Sequence, residues 1–290
     1  MMKKLLLITL TLIITTSLTV DKPAYLIYNS AGKSNKYQKM IKSCAYADIV
    51  LFGELHNNPI CHWLEFSLTK DLHKAKSGNI ILGAEMFESD NQLILDEYLN
   101  SLIKERNFEN EAKLWNNYTT DYKPIVEFAK ENELKFVATN IPRRYAALVN
   151  SEGFEGLEKL SDDAKSFLPP LPILYDENLP CYKNIVENIG MMPNKKNFDN
   201  IGKAQAVKDA TMAHFIYKNF EKGSTFIHFN GRYHSDNFSS IVWYLNQLDS
   251  TLKITTISCV EQDDIQSFEE KNKGIADFII AIPSDMTKTY

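Results

Sequence analysis

Residues 48–59 read DIVLFGELHNNP and contain the unit that decides the fold. After Asp48 the run 48–53 is continuously apolar up to Gly53 rather than alternating, which is typical of a strand covered on both faces, as in a parallel sheet. Asn58 followed by Pro59 marks the start of a helix, with asparagine as the N-cap and proline in the first turn. The stretch therefore predicts a strand, a short polar turn and a helix, which is the repeating unit of an α/β protein.

Five more apolar runs of the same kind follow along the chain. They are rich in Ile, Val and Phe, and helical patterns lie between them, including residues 205–220 and 236–248. This alternation predicts an α/β fold, a predominantly parallel sheet flanked by helices with right-handed crossovers. A short extra strand is predicted at residues 25–28. The five runs are residues 79–85, 135–140, 224–231, 253–259 and 277–282.

Composition and charge exclude several classes of protein. The 290 residues are 44% hydrophobic, which indicates a packed globular protein rather than a disordered one. The net charge of −5 provides no electrostatic basis for binding nucleic acid. The four cysteines form no CxxC pair, which argues against a zinc ribbon or an iron–sulfur site. No GxGxxG or GxSxG motif marks a dinucleotide site or a serine hydrolase.

The chain is predicted to contain an N-terminal targeting segment and one folded domain. In residues 1–20, two lysines precede the apolar run 5–14, which is the layout of a secretory signal peptide or an N-terminal anchor. No lipobox cysteine follows that run, and we expect an exported protein that is periplasmic or associated with the envelope. Residues 21–290 form the α/β domain. Its helical insertions at about 90–122 and 151–202 are interpreted as a smaller all-helical subdomain capping one end of the sheet.

Charged side chains follow four of the predicted strands. Because the carboxyl ends of parallel strands form the ligand crevice of an open sheet, we expect these groups to meet at one edge. The planar fork of arginine suits carboxylates and propionates, so the two arginines among them are candidates for binding an anionic ligand; the alternative is ordinary ion pairs with nearby acids. The residues are Glu54, His56, Glu85, Arg143, Arg144 and His234.

Four of these residues could hold a divalent metal ion. Glu54, His56, Glu85 and His234 offer oxygen and nitrogen ligands from strand ends. The alternative is that the residues of the first turn brace it by hydrogen bonds. The pattern is not the HExxH motif of metalloproteases, because His56 and His62 are six residues apart rather than four.

Tyr145 is the first candidate for a haem ligand. It follows Arg143 and Arg144 at a predicted helix start, where the helix dipole and two guanidinium groups favour an anion. A tyrosinate is a hard oxygen ligand suited to ferric haem. Tyr122, beside Lys123, is the second candidate. The alternative for either is an amphipathic tyrosine on a helix surface.

Taken together, the motifs of the chain resemble the ChaN-type haem-binding uptake family of the Tiki superfamily. The resemblance covers roughly residues 45–245, nearly the whole of the expected mature chain. The motifs are Phe52-Gly53-Glu54-Leu55-His56-Asn57-Asn58-Pro59 with His62, Glu85-Met86-Phe87, Trp115 with Tyr122-Lys123-Pro124, Asn140-Ile141-Pro142-Arg143, Ala204-Gln205-Ala206 with Asp209 and Met212-Ala213, and Asn230-Gly231 with His234.

This resemblance implies a parallel sheet flanked by helices, and haem bound through a tyrosine oxygen without enzymatic turnover. Tyr145 and Tyr122 lie inside matched motifs, so both remain candidates for the iron ligand. A histidine and a lysine are expected to steady the propionates. The candidates for that role are His56, His62, Lys123, Lys203 and His234.

The resemblance also bears on partners and on rival functions. It implies that haem can bring two subunits together as a homodimer, and the uptake setting makes an outer-membrane haem receptor a candidate partner. The wider superfamily includes members that resemble metal-dependent hydrolases. The rival hypothesis is therefore a divalent metal held by Glu54, His56, Glu85 and His234 that activates water. A third interpretation is a non-catalytic periplasmic scaffold whose polar site is vestigial.

Overall fold

The computed structural model describes residues 21–190 and 200–290, with no side-chain description for residues 187–190. The segment 1–20, predicted to be a signal peptide or anchor, lies outside the described residues, as does part of the second predicted insertion. No helix within the described ranges is both long enough and apolar enough to cross a membrane.

One sheet of eight strands passes through the domain. Its strand order is β2-β1-β8-β7-β3-β6-β4-β5, and the pairings among β3 to β8 are all parallel. These six strands correspond to the six apolar runs, so the predicted parallel α/β architecture is confirmed. The strand predicted at residues 25–28 is present as β1, antiparallel to β8 and β2. The strands are β1 (Leu26–Asn29), β2 (Ser34–Asn35), β3 (Ile49–Glu54), β4 (Ile80–Glu88), β5 (Phe136–Asn140), β6 (Thr225–Gly231), β7 (Ile254–Gln262) and β8 (Phe278–Pro283).

Helices cover both faces of this sheet. Short 3₁₀ turns at Ser89–Asn91, Arg232–His234, Asp236–Phe238 and Glu270–Asn272 and a π-turn at Tyr118–Tyr122 join some of the elements. The α-helices are α1 (Tyr37–Tyr46), α2 (Pro59–Ala75), α3 (Gln92–Leu99), α4 (Glu105–Glu111), α5 (Lys123–Glu131), α6 (Arg143–Glu152), α7 (Glu155–Glu158), α8 (Asp162–Lys165), α9 (Pro180–Gly190), α10 (Ile201–Asn219) and α11 (Ile241–Leu248).

The buried strand β3 shows why its sequence is apolar without alternation. Val50 and Phe52 pack into the core under α2 and α5, whereas Ile49 and Leu51 pack into the core under α10 and α11. Since successive side chains point to opposite faces, a strand covered on both sides needs apolar residues at every position.

Local signals explain where two helices begin. At α2, the Asn58 side chain accepts a hydrogen bond from the backbone N–H of Ile60 at 3.0 Å, as the predicted cap requires. The single helix predicted over residues 236–248 is interrupted instead. Asn237 and Ser240 have φ values of 59° and 53°, outside the helical range, so α11 begins only at Ile241.

The two predicted insertions are helical where the structure describes them. The first contains α3, α4 and the π-turn, and the second contains α7, α8 and α9. Tyr98 and Phe108 of the first share a core with the α2 side of the sheet. Leu157 and Tyr182 of the second share the core on the α10 side. The insertions therefore extend the two cores on opposite faces of the sheet.

Candidate functional site

The acids and histidines predicted at the strand ends meet at the carboxyl edge of the sheet. Glu54 ends β3, Glu85 lies near the end of β4, and His56 and His234 lie in the turns after β3 and β6. The backbone N–H of Gly231 donates to Glu85 Oε2 at 2.8 Å, and His234 Nε2 lies 3.3 Å from Glu85 Oε1. These contacts form because β6 lies between β3 and β4.

Glu54 is the centre of a buried network on the α2 side of the edge. Its Oε1 atom accepts hydrogen bonds from His56 Nδ1 at 2.6 Å and from Tyr122 Oη at 2.7 Å. Burial alone would raise the pKa of Glu54, but the hydrogen bond from His56 and the proximity of His62 lower it. Glu54 is therefore an ionised carboxylate inside the protein.

His62 and Glu65, one turn apart on α2, lie directly against this carboxylate. His62 Nδ1 is 3.0 Å from Glu65 Oε2 and 3.6 Å from Glu54 Oε2. His62 Nε2 is 3.0 Å from the backbone oxygen of His56. Burial and the charge of Glu54 raise the pKa of Glu65 well above its usual range. Among the described residues, one set of three has ligand atoms all within 4.8 Å of one another, and it is Glu54, His62 and Glu65.

A second buried network lies on the α10 side of the edge. His234 Nδ1 is 2.5 Å from Asp209 Oδ1, and the other carboxyl oxygen of Asp209 accepts from Tyr182 Oη at 2.8 Å. Burial lowers the pKa of His234, but Glu85 and Asp209 outweigh it and raise that pKa to about 10. His234 is therefore an imidazolium at neutral pH, held between two carboxylates.

The hydrogen bonds of His234 bear on the four-residue metal set predicted from the strand ends. Its two ring nitrogens face carboxylate oxygens, Nε2 at 3.3 Å from Glu85 and Nδ1 at 2.5 Å from Asp209. His56 Nδ1 is likewise committed to Glu54. The structure thus brings Glu54, His56, Glu85 and His234 to one edge. Their side-chain nitrogens and oxygens form hydrogen bonds within the two networks.

A cavity of about 310 Å³ lies beside His56. The side chain of His56 is 38% exposed, and its ring makes an edge contact with Trp115 at 4.9 Å between centroids. Asn117 Nδ2 donates to the His56 backbone oxygen at 2.9 Å. The indole and the amide that contact His56 therefore also line this cavity, together with the Arg143 guanidinium. The cavity is lined by Leu114, Trp115, Asn116, Asn117, Arg143 and Tyr290.

A larger cavity, about 790 Å³, lies beyond the second network. Gln205 and Arg232 are part of its wall, and Gln205 Nε2 lies 3.1 Å from His234 Nε2. Each cavity has one largely exposed tyrosine in its wall, Tyr290 in the smaller and Tyr233 in the larger. The phenols of Tyr290 and Tyr233 therefore line the two cavities, whereas Tyr122 and Tyr145 are not among the lining residues.

The two tyrosines predicted as haem ligands are both buried. The phenol of Tyr122 donates to Glu54, and burial raises its pKa far above the usual range, so it is a neutral phenol. Tyr145 is 9% exposed, and its oxygen accepts a hydrogen bond from Arg144 Nη2 at 3.2 Å. The Arg144 guanidinium lies 4.4 Å from the Tyr145 ring and also pairs with Asp90.

The candidate propionate partners are placed unevenly. Arg143 is 77% exposed and lines the smaller cavity, and its Nε lies 3.5 Å from Glu88 Oε1, which is the ion pair that the alternative interpretation predicts. Lys123 instead forms an ion pair with Glu109 at 3.0 Å, and the Lys203 ammonium lies 5.9 Å from the Phe154 ring. Of these three residues, Arg143 lines the smaller cavity, whereas the ammonium groups of Lys123 and Lys203 lie against Glu109 and Phe154.

Three buried acids of these networks were not predicted, and they are Glu65, Asp121 and Asp209. Glu65 could have been found from its spacing, since it follows His62 by three residues on one face of a helix. Asp209 lies in a motif of the resemblance, but its sequence alone provides no reason to pair it with His234. That pairing requires α10 to pack against the end of β6.

These features define a ligand-binding α/β protein whose polar site lies at the carboxyl edge of a parallel sheet. The chain belongs to the family described as haem-binding uptake, Tiki superfamily, ChaN, whose model matches residues 40–245. The family predicted from the motifs is thereby confirmed, and the membership indicates haem as the ligand. No functionally curated protein matches the chain.

Solved structures share this fold at low sequence identity. The structure described as cofacial heme binding to ChaN of Campylobacter jejuni is 19% identical, with a TM-score of 0.68, over 90% of this chain and 97% of that one. A Bacillus cereus protein is 12% identical, with a TM-score of 0.51, over 85% and 90% of the two chains. A succinoglycan biosynthesis protein is 11% identical, with a TM-score of 0.50 and the same coverage. At these identities the likeness establishes the fold.

Proposed function

We propose that this protein binds haem at the carboxyl edge of its sheet through a tyrosine oxygen and acts in haem or iron uptake without enzymatic turnover. Membership of the haem-binding uptake family carries the proposal. The Campylobacter jejuni ChaN structure, described as binding haem cofacially, adds support through its shared fold.

The cavity beside His56 fits the chemistry of a porphyrin with acidic side chains. The indole of Trp115 offers a flat apolar surface, and the exposed guanidinium of Arg143 can pair with a propionate. Burial lowers the pKa of His56, but the hydrogen bond with Glu54 favours the charged imidazolium and raises the pKa overall. The half-exposed imidazolium can therefore donate a further hydrogen bond. Bound ferric haem would supply a hard Lewis-acidic iron that prefers an anionic oxygen ligand.

Tyr145 remains the first candidate for that oxygen, with Tyr122 as the alternative. The Tyr145 oxygen accepts one hydrogen bond from Arg144, a cation that stabilises negative charge on its acceptor. The Tyr122 hydroxyl is committed to Glu54, and that bond would have to break before the oxygen met iron. Tyr290 and Tyr233 enter the same test, because they line the two cavities at the edge.

The setting of the activity is part of the proposal. The basic and apolar pattern of residues 1–20 supports export to the periplasm or envelope. The exposed position of the cavity supports a haem-induced homodimer, since a ligand bound there can be shared with a second copy. An outer-membrane haem receptor is the partner that an uptake role calls for.

Absorbance titration of the purified mature chain with hemin tests the proposal. Wild-type protein should show a high-spin Soret band at micromolar concentration, and Tyr145→Phe should abolish it while leaving the fold intact by circular dichroism. Tyr122→Phe, Tyr233→Phe and Tyr290→Phe are compared in the same way. The matched control is Tyr46→Phe, because Tyr46 is 74% exposed and ends the helix before β3, at the opposite edge of the sheet.

The spectra decide the ligand and the role together. Loss of the band in Tyr122→Phe alone would move the ligand to that residue, and an unchanged spectrum of wild-type protein would refute haem binding. Light scattering with and without hemin tests the homodimer, which should appear as a doubling of mass. Chelator-sensitive ester or peptide hydrolysis that Glu54→Ala abolishes would support the metal-dependent hydrolase instead.

A further inference from the structure

Two carboxyl oxygens below the edge are buried, face another carboxyl group and accept no hydrogen bond from a nitrogen or hydroxyl donor among the described residues. They are Glu54 Oε2 and Glu65 Oε1. The two side chains are only 1% and 0% exposed, so water does not satisfy them at the surface. A buried carboxylate oxygen without a partner is costly, and such a group in a native protein calls for a proton or a cation.

The tautomer of His62 directs a lone pair toward the same two carboxyl groups. Its Nε2 atom is 3.0 Å from the backbone oxygen of His56, which can only accept, so Nε2 carries the hydrogen. In neutral His62 the lone pair is then on Nδ1, which faces Glu65 and Glu54. Metal-binding histidines commonly donate their second N–H to a carbonyl or carboxylate in this way.

We propose that Glu54, His62 and Glu65 form a binding site for one divalent transition-metal ion. Nitrogen and oxygen ligands lie about 2.0–2.2 Å from such an ion, which puts neighbouring ligand atoms roughly 3.0–3.5 Å apart. The His62 Nδ1 distances to Glu65 Oε2 and Glu54 Oε2 are 3.0 and 3.6 Å. One imidazole and two carboxylates suit Zn²⁺, Fe²⁺ or Mn²⁺, and two carboxylates balance the charge of the ion.

Surrounding residues hold these ligands in place. Asn117 Nδ2 donates to the His56 carbonyl that orients His62 and to Asp121 Oδ2 at 2.6 Å. The second oxygen of Glu54 is held by Tyr122 and His56, so only Oε2 is available to the ion. The site therefore lies beneath the cavity proposed for haem and uses a different set of atoms.

Metal analysis of the untagged mature chain tests this site. The chain is dialysed against EDTA, reloaded with ZnCl₂, MnCl₂ or anaerobic Fe²⁺, and freed of unbound ion before its metal content and melting temperature are measured. About one ion per chain is expected in wild type, together with a higher melting temperature than in the EDTA-treated form. Glu65→Gln should lower the bound metal by about tenfold or more and remove the temperature shift. The control is Glu131→Gln, an exposed carboxylate on α5.

Glu65→Gln also distinguishes an ion from a shared proton. The glutamine amide can donate to Glu54 Oε2, so a carboxyl pair that merely shares a proton would tolerate this variant without loss of stability. Absence of bound metal in wild type, with Glu65→Gln as stable as wild type, overturns the proposal. If Glu65→Gln fails to fold, the metal content and temperature shift of wild type decide. Hemin titration of the EDTA-treated chain measures haem binding without the metal ion, so the test of haem binding does not depend on the test of the metal site.

Discussion

His234 carries the positive charge that compensates two buried carboxylates, so its replacement tests the electrostatics of the edge. Its ring nitrogens lie 2.5 Å from Asp209 Oδ1 and 3.3 Å from Glu85 Oε1. The substitution His234→Gln preserves a polar side chain of similar size but removes the charge. Asp209 and Glu85 would then remain buried together without their cation, and one of them would have to take up a proton.

The size of the effect follows from the pKa of His234. The pKa rises from about 6.5, the ordinary value for histidine, to about 10 in the folded protein. This difference corresponds to about 5 kcal/mol of stabilisation of the folded protein by the charged imidazolium. This agrees with the roughly 3–5 kcal/mol lost when one partner of a buried ion pair is removed. Because the folded-state pKa is raised, the stabilisation is fully present below about pH 6.5 and is lost as pH rises through about 10.

Urea unfolding followed by circular dichroism at a series of pH values measures this directly. At about pH 6 we expect His234→Gln to be less stable than wild type by about 3–5 kcal/mol, and at about pH 9.5 the difference should be smaller by about 3 kcal/mol. His214→Gln is the control. Burial and Lys218 lower the pKa of His214, so its contribution to stability should not decline as pH rises above about 7. A difference for His234→Gln that stays constant with pH would refute the charge assignment.

Two other substitutions probe the packing at and below the edge. In Gly231→Ala the added Cβ would lie 2.7 Å from His56 Cε1, so the ring must move away from Glu54. The pKa of His56, followed by NMR titration, should then fall toward its usual value. An unchanged pKa would contradict the placement of the ring. Phe226→Ala removes a fully buried ring and should lower the free energy of unfolding in urea by about 3–5 kcal/mol. Leu102→Ala, at a side chain 74% exposed, should lower it by under about 1 kcal/mol. Equal effects would contradict the assigned burial.

Much of the fold could be predicted because its signals are local. A strand buried on both faces is mostly apolar without alternation, so β3 and β6 are visible in the sequence as nearly continuous runs. The start of α2 is equally local, since Asn58 caps a helix only two residues away. The break before α11 was missed, because Phe238 and Ser240 also have positive φ values and belong to residue types that rarely do, while asparagine at position 237 is compatible with a helix as well.

The sequence by itself determined that Glu54, Glu85 and His234 come to the carboxyl edge of one sheet, since the β-α-β pattern makes the strands parallel and so places their carboxyl ends together. Only the tertiary structure decided what each group bonds. Tyr122 reaches Glu54 across 68 positions of the chain, and Asp209 reaches His234 from α10. Such contacts depend on how helices pack against the sheet to within a fraction of an ångström, and no local pattern encodes that distance.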